Sequence, residues 1–107
     1  MENDKSLQLS GGGRGGAALS TDEIWDTYAF IGRRIRERRK ELGLRQEDLA
    51  YMADITGLTV IEWEKGARPP ELINLIAVSR ALGVPVGDLL PDADALADLR
   101  GKRRERE

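Results

Sequence analysis

The stretch QEDLAYMADITGLTVIEWEKG, residues 46–66, limits the possible folds more than any other part of this chain. Its apolar residues recur at helical spacing, Thr56 is suited to cap the start of a helix, and Gly66 is suited to end one. The stretch therefore predicts two short helices, at about 46–53 and 57–64, joined by a tight turn.

Small and apolar residues occupy the positions where these two helices would cross. Ala50 would let the backbones approach closely, and Val60 and Trp63 would pack beneath it. On the first of the two helices, Leu49 and Ala53 are also expected to point inward.

A longer helix is predicted before this stretch. Ser20 or Thr21 is placed to cap its start, acidic residues follow in the first turn, and Gly43 supplies the stop. One apolar stripe runs along it among the arginines, formed by Tyr28, Ile31, Ile35 and Leu42.

Two more elements are predicted after the sequence RPP at 68–70. Pro70 suits the first position of a helix that ends at Gly83 and carries Leu72, Leu75, Ile76, Ser79 and Leu82 on one side. The segment VPVGDLL then makes a short final turn that buries Val86, Leu89 and Leu90. The prediction is an all-α domain of five helices over residues 21–91.

Both ends of the chain differ from this domain in composition. Residues 1–20 include GGGRGG, which predicts a flexible arm, although one arginine among glycines is also compatible with a fragment of an RNA-binding tract. In the tail at 92–107, DADALADL is able to form one more amphipathic helix. The remaining RGKRRERE is expected to stay solvated.

The composition excludes most enzyme classes. The 107 residues include no Cys and no His, so a disulfide framework, a thiolate metal site and the commonest general base are all missing. We therefore expect no catalytic residues, no metal and no cofactor. Neither a signal peptide nor a long apolar run is present, which predicts a cytoplasmic protein without a membrane span.

Charge is strongly segregated, although the whole chain carries a net charge of only −2. Residues 29–42 hold six basic and two acidic side chains, a net +4, whereas residues 43–64 hold one basic and five acidic, a net −4. The basic helix and the crossing helices are thus different pieces of the chain.

Residues 29–90 together resemble the helix-turn-helix family of Cro and the phage repressors, often called the XRE family. Ala50, Asp54 and Val60 match the family's small, turn and β-branched positions. Glu64, with Gly66 and Pro69 after it, matches its closing motif. The resemblance implies a compact five-helix fold like that of the lambda repressor and a transcriptional regulator that places its recognition helix in the major groove of double-stranded DNA.

The resemblance also implies roles for individual residues. Arg39 matches a first-helix arginine that pairs with the motif glutamate, here Glu64, in a partly buried structural ion pair; a phosphate contact is the alternative role for Arg39. Gln46 matches a position at which family members contact a DNA phosphate. The alternative is that Gln46 only begins the helix and contacts no DNA. Three further cations lie in the loops that flank the two helices, namely Arg45, Lys65 and Arg68. Each is either a further phosphate contact or an ordinary surface charge. The family's base-contacting positions fall on Thr56, Gly57, Leu58, Ile61 and Glu62.

These five positions leave a second function open. None of them offers the two-pronged hydrogen bond with which proteins commonly read guanine or adenine. An exposed Leu58 and Ile61 are instead typical of a protein contact, as in an adaptor or antitoxin-like module. On the regulator hypothesis we expect a homodimer, joined through the fifth helix and residues 92–99, where Leu96 and Leu99 lack another partner.

Overall fold

The fold is a stack of short helices behind one long helix, and no strand occurs in the part of the chain that the structure covers. The computed structural model describes residues 16–106, and within them the side chains of residues 16–99. The helices are α1 Thr21–Glu41, α2 Gln46–Ala53, α3 Gly57–Glu64, α4 Leu72–Leu82, a short 3₁₀ helix Val86–Leu89, and α5 Ala93–Arg106. The all-α prediction is confirmed.

Helices α1 and α3 begin where a side chain satisfies a free backbone N–H group. The Ser20 hydroxyl accepts a hydrogen bond from the Glu23 N–H at 3.1 Å, and the Glu23 carboxylate accepts one from the Ser20 N–H at 2.9 Å. This reciprocal pair caps α1. The Thr56 hydroxyl caps α3 by accepting one hydrogen bond from the Thr59 N–H at 3.1 Å. The start of α1 and both bounds of α2 and α3 therefore agree with the sequence prediction.

The core lies where α1, α2, α3 and α4 meet, with one leucine from the 3₁₀ helix closing its end. The inward positions predicted for α2 and α3 are confirmed, and Trp63 is the largest side chain that is almost completely buried. The buried apolar residues are Ile31, Ile35, Leu49, Ala50, Ala53, Val60, Trp63, Leu75, Val78, Leu82 and Leu89.

Several residues predicted to be buried are exposed. Leu42 follows the last turn of α1 as its C-cap, and Leu72 is the first residue of α4, so both project away from the core. Ile76 lies at the edge of the apolar face, on the side of Leu72, because core contact centres on Val78 and Leu82. Leu90 is exposed because extended backbone follows the 3₁₀ helix, and Val86 is only partly buried.

The predicted bounds after residue 66 also need correction. Helix α4 begins at Leu72 instead of Pro70, because Glu71 keeps extended backbone as the N-cap. The short final turn predicted for VPVGDLL is confirmed as a single turn of 3₁₀ helix. Helix α5 includes most of the DADALADL segment, which was predicted to be able to form a helix, and continues to Arg106. Apart from Gly101, its last eight residues are strong helix formers. The predicted arm at 1–20 lies mostly outside the described residues.

Helix α4 is part of the one helix pair in residues 16–106 whose combined length and composition match those of a membrane span. Within residues 16–106, no single helix is long and apolar enough to cross a membrane, and one pair bent by 101°, Leu72–Leu82 with Val86–Leu99, meets the criteria of length and composition jointly. Leu75, Val78 and Leu82 of that pair are core residues.

Helices α1 and α3 approach so closely that one position on α1 has no room for a side chain. A methyl group on Gly32 would overlap the backbone carbonyl of Trp63. Gly66, with φ +69°, packs on the same side, where an added Cβ would lie 2.8 Å from the Ala29 Cα. The long helix and the end of α3 therefore meet backbone to backbone.

We predict that Gly32→Ala lowers the free energy of unfolding by about 1–3 kcal/mol or more, because the methyl group forces two helices apart. Gly87→Ala is the matched control, since an added Cβ there meets nothing within 4 Å. Urea unfolding followed by circular dichroism measures both. Equal stability of the two variants would show that α1 and α3 are not in contact at Gly32.

Candidate functional site

The turn between α2 and α3 depends on one residue with left-handed backbone. Asp54 has φ 57° and ψ 47°, and it is the only residue other than glycine with positive φ in the described part of the chain. Aspartate tolerates this conformation better than most side chains. The Ile55 N–H then donates to the Ala50 carbonyl at 3.0 Å, which fixes the direction in which α3 begins.

A buried ion pair lies beneath the two helices, between the two residues for which the family resemblance implies it. The Arg39 guanidinium donates to both carboxylate oxygens of Glu64, from Nε at 2.7 Å and from Nη2 at 3.0 Å. Only 10% of the Arg39 side chain and 3% of the Glu64 side chain are exposed. The hydrogen bond to Glu64 holds the pKa of Arg39 above its ordinary value. The Arg39 guanidinium therefore keeps its positive charge inside the protein.

Two further contacts extend this pair into a network. Nη1 of Arg39 donates to the Leu44 carbonyl at 2.8 Å, and Nε2 of Gln46 donates to Glu64 Oε1 at 3.0 Å. The carboxylate of Glu64 thus accepts from α1 and from the first residue of α2 while it lies at the end of α3. One carboxylate fixes three helices relative to each other.

The exposed side of α3 carries few hydrogen-bond donors. Leu58 is 61% exposed, Gly57 has no side chain, and Ile61 and Glu62 are partly buried. The Thr56 hydroxyl lies 2.8 Å from that of Thr59 and also accepts the Thr59 N–H. This surface is therefore apolar with an acidic edge, as the sequence indicated.

The cations in the loops that flank α2 and α3 differ in how many carboxylates they already contact. Arg45 donates to Asp48 at 2.9 and 3.1 Å, and these bonds, with that from its own backbone N–H, hold the pKa of Asp48 below the usual value. Arg68 contacts Glu62, Thr59 and Glu71. Lys65 is exposed, and we find no ion pair to it among the described residues.

Sequence reasoning did not identify the partners of these arginines. Asp48 is at the third position of α2, where acidic residues commonly bind the N-cap, so its spacing from Arg45 was a usable signal. Glu71 follows Arg68 by three residues across a loop. Outside a helix, that spacing does not indicate a contact.

We predict that Glu64→Gln lowers the free energy of unfolding by about 3–5 kcal/mol, because it leaves the buried Arg39 cation without a counter-charge. Glu37→Gln is the matched control: Glu37 is 55% exposed and lies 3.9 Å from Arg34. Loss of this exposed ion pair is expected to lower the free energy of unfolding by less than about 1 kcal/mol. Chemical unfolding of both variants distinguishes the two cases, and similar midpoints would contradict a structural role for Glu64.

Comparison with known proteins adds independent information on this arrangement. A family model described as helix-turn-helix matches residues 35–89. An uncharacterised HTH-type transcriptional regulator of Methanothermobacter thermautotrophicus is 53% identical over 49 residues, which cover 46% of this chain and 71% of that protein.

The chain is also similar to a phage repressor, both in sequence and in structure. Repressor protein C2 of Salmonella phage P22 is 40% identical over 53 residues, and the match spans 50% of this chain but only 24% of the repressor. A crystal structure of the P22 c2 repressor in complex with a synthetic operator superimposes with a TM-score of 0.55 at 38% identity. That superposition covers 57% of this chain and 92% of the repressor chain in the crystal.

Proposed function

The chain belongs to the helix-turn-helix family of transcriptional regulators to which Cro and the phage repressors belong, and from this we propose that it binds double-stranded DNA sequence-specifically with α3 in the major groove. The observation that supports this most is the network of Arg39, Gln46 and Glu64. It holds the exposed side of α3 in a fixed position beside the N-terminus of α2.

Gln46 and the cations beside it would hold the DNA backbone. Its side-chain amide has two N–H groups, of which Glu64 accepts one, so the other remains for a phosphate oxygen at the positive end of α2. Lys65 supplies an exposed charge at the end of α3. Arg45 contributes only insofar as phosphate competes with Asp48 for its guanidinium.

Base contacts would come from the start and the exposed side of α3. Leu58 suits a thymine methyl group, Glu62 suits the amine of cytosine, and the Thr56 hydroxyl suits either a base or a phosphate. Gly57 and Ile61 would lie against the groove without hydrogen bonds. Since so few polar groups read the bases, DNA shape would contribute a large part of the specificity.

The proposal includes a homodimer, which would place two α3 helices on two half-sites. The dimer contacts are assigned to the 3₁₀ helix and residues 92–99. In this region an apolar groove of about 270 Å³ opens between the N-terminal residues 17–23 and α5, lined by Leu96 and Leu99 among others. We assign the protein to the cytoplasm and assign it no catalytic activity.

A second candidate function is supported by the exposure of Leu58. A large aliphatic side chain that is 61% exposed, beside the partly buried Ile61, is suited to anchor a partner protein. In that case the fold would serve as an adaptor or antitoxin-like module, and DNA would bind only weakly and without sequence preference.

We predict that the full chain binds its own upstream DNA at least about a thousandfold more tightly than random duplex, with affinity falling as salt increases. Fluorescence anisotropy titrations at two salt concentrations measure both quantities. Leu58→Asp is expected to weaken specific binding more than tenfold, since it brings a negative charge to the groove.

Leu72→Asp is the matched control for this experiment. Leu72 is 65% exposed and gains the same charge, but it lies on α4. Equal weakening by both substitutions would argue against α3 in the groove. Weak binding of the wild-type protein, equal on both duplexes, would favour the protein-binding function.

A further inference from the structure

Arg68 reaches back from the loop after α3 and lies against the recognition helix. Its Nη1 is 3.3 Å from Glu62 Oε1 and 3.4 Å from the Thr59 hydroxyl, and its Nη2 is 3.5 Å from Glu71 Oε2. The side chain is 39% exposed. The guanidinium is therefore held at the side of α3 while part of it faces solvent.

The loop that carries Arg68 is constrained on both sides. The Ala67 N–H donates to the Glu62 carbonyl at 2.9 Å, and Gly66 has the left-handed φ of +69° that this turn requires. Pro69 and Pro70 follow directly, and their rings fix the backbone φ. The position of Arg68 beside α3 thus results from the backbone as well as from its ion pairs.

The local charge does not suit a phosphate contact at Arg68. Two carboxylates, Glu62 and Glu71, surround one guanidinium, which leaves a net charge of −1. A hydrogen bond within Glu71 itself, with smaller contributions from Asn74 and Arg68, holds the pKa of Glu71 below its ordinary value, so this carboxylate is ionised at neutral pH. A phosphate would approach two negative groups, whereas the edge of a base is neutral.

A guanidinium at this place supplies the kind of donor that α3 lacks. The hydroxyls of Thr56 and Thr59 bond to each other, and Leu58 and Ile61 have no polar atoms. Arg68 has five N–H groups, and its three contacts use only the two terminal nitrogens. Arg68 can therefore keep its hydrogen bond to Glu62 and still donate a hydrogen bond to a second group.

We propose that Arg68 reads a guanine in the major groove, with Glu62 as the positioning residue that holds the guanidinium against α3. This assignment depends on the proposed DNA-binding function. It replaces the phosphate contact expected for Arg68 from the sequence, and it also replaces the direct cytosine contact suggested above for Glu62. The paired acceptors O6 and N7 of guanine match the fork of the guanidinium. The one strongly specific base contact would then come from the loop instead of the recognition helix.

The test begins with the wild-type chain of 107 residues and a random duplex library, from which bound sequences are selected. The affinity for the selected duplex and for each of its single base-pair substitutions is then measured at two salt concentrations. The variants are Arg68→Lys, Glu62→Gln and, as a matched phosphate control, Lys65→Ala. Circular dichroism verifies that each variant is folded.

Arg68→Lys keeps the charge but loses the fork, so we expect the preference for one G·C pair per half-site to fall by about 5- to 150-fold. The salt dependence should be unchanged. Glu62→Gln should weaken the same preference and no other. Lys65→Ala should instead weaken binding to all duplexes equally and reduce the salt slope by about one.

Three outcomes would overturn the assignment. If Arg68→Lys keeps every base preference, the guanidinium of Arg68 does not read guanine. If Glu62→Gln only strengthens binding equally on all duplexes, Glu62 repels the backbone and positions nothing. If the wild-type protein selects no sequence at all, the proposed function fails and the role of Arg68 fails with it.

Discussion

The fold and the candidate site both depend on the buried ion pair between Arg39 and Glu64. A charge inside a protein is costly unless its partner is close and its remaining hydrogen bonds are made. Here the guanidinium makes two bonds to the carboxylate and a third to the Leu44 carbonyl, and Gln46 adds a bond to the carboxylate. Since these groups belong to α1, α2 and α3, the helices cannot shift independently.

The same network joins stability to the proposed function. Glu64 ends the helix assigned to the groove, and Gln46 begins the helix assigned to phosphate. The bond between them sets the distance between the two parts of the surface. Arg45 and Arg68 already form ion pairs with carboxylates, so DNA would have to share or displace those carboxylates. Lys65 forms no ion pair within residues 16–99, so no carboxylate there would compete with DNA for its charge.

The parts of this structure that could be predicted depend on local rules or on spacing within helices. The bounds of α2 and α3 follow from Thr56 as a cap and from apolar periodicity, and the burial of Ala50 and Trp63 follows from where two short helices must cross. The ion pair was anticipated because the resemblance to the family places Arg39 and Glu64 at matching positions.

The parts that could not be predicted depend on packing that is not apparent from the sequence. Leu72 and Leu90 fit an apolar pattern, but each is at the end of an element, where the backbone turns away from the core. The contacts of Arg68 depend on the path of a loop, set by Gly66 and two prolines, and spacing rules do not describe a loop. The surface assigned to base reading was therefore less predictable than the frame that supports it.

The most direct test of this account is a double-mutant cycle between Arg39→Met and Glu64→Leu, measured by urea unfolding. Each single substitution leaves a buried charge without its partner, whereas the double variant removes both charges. If the two charges stabilise the fold as a pair, the double variant loses less stability than the sum of the two single variants by about 1–3 kcal/mol. Losses that add to within about 0.5 kcal/mol would show that the two residues do not stabilise the helices as a pair.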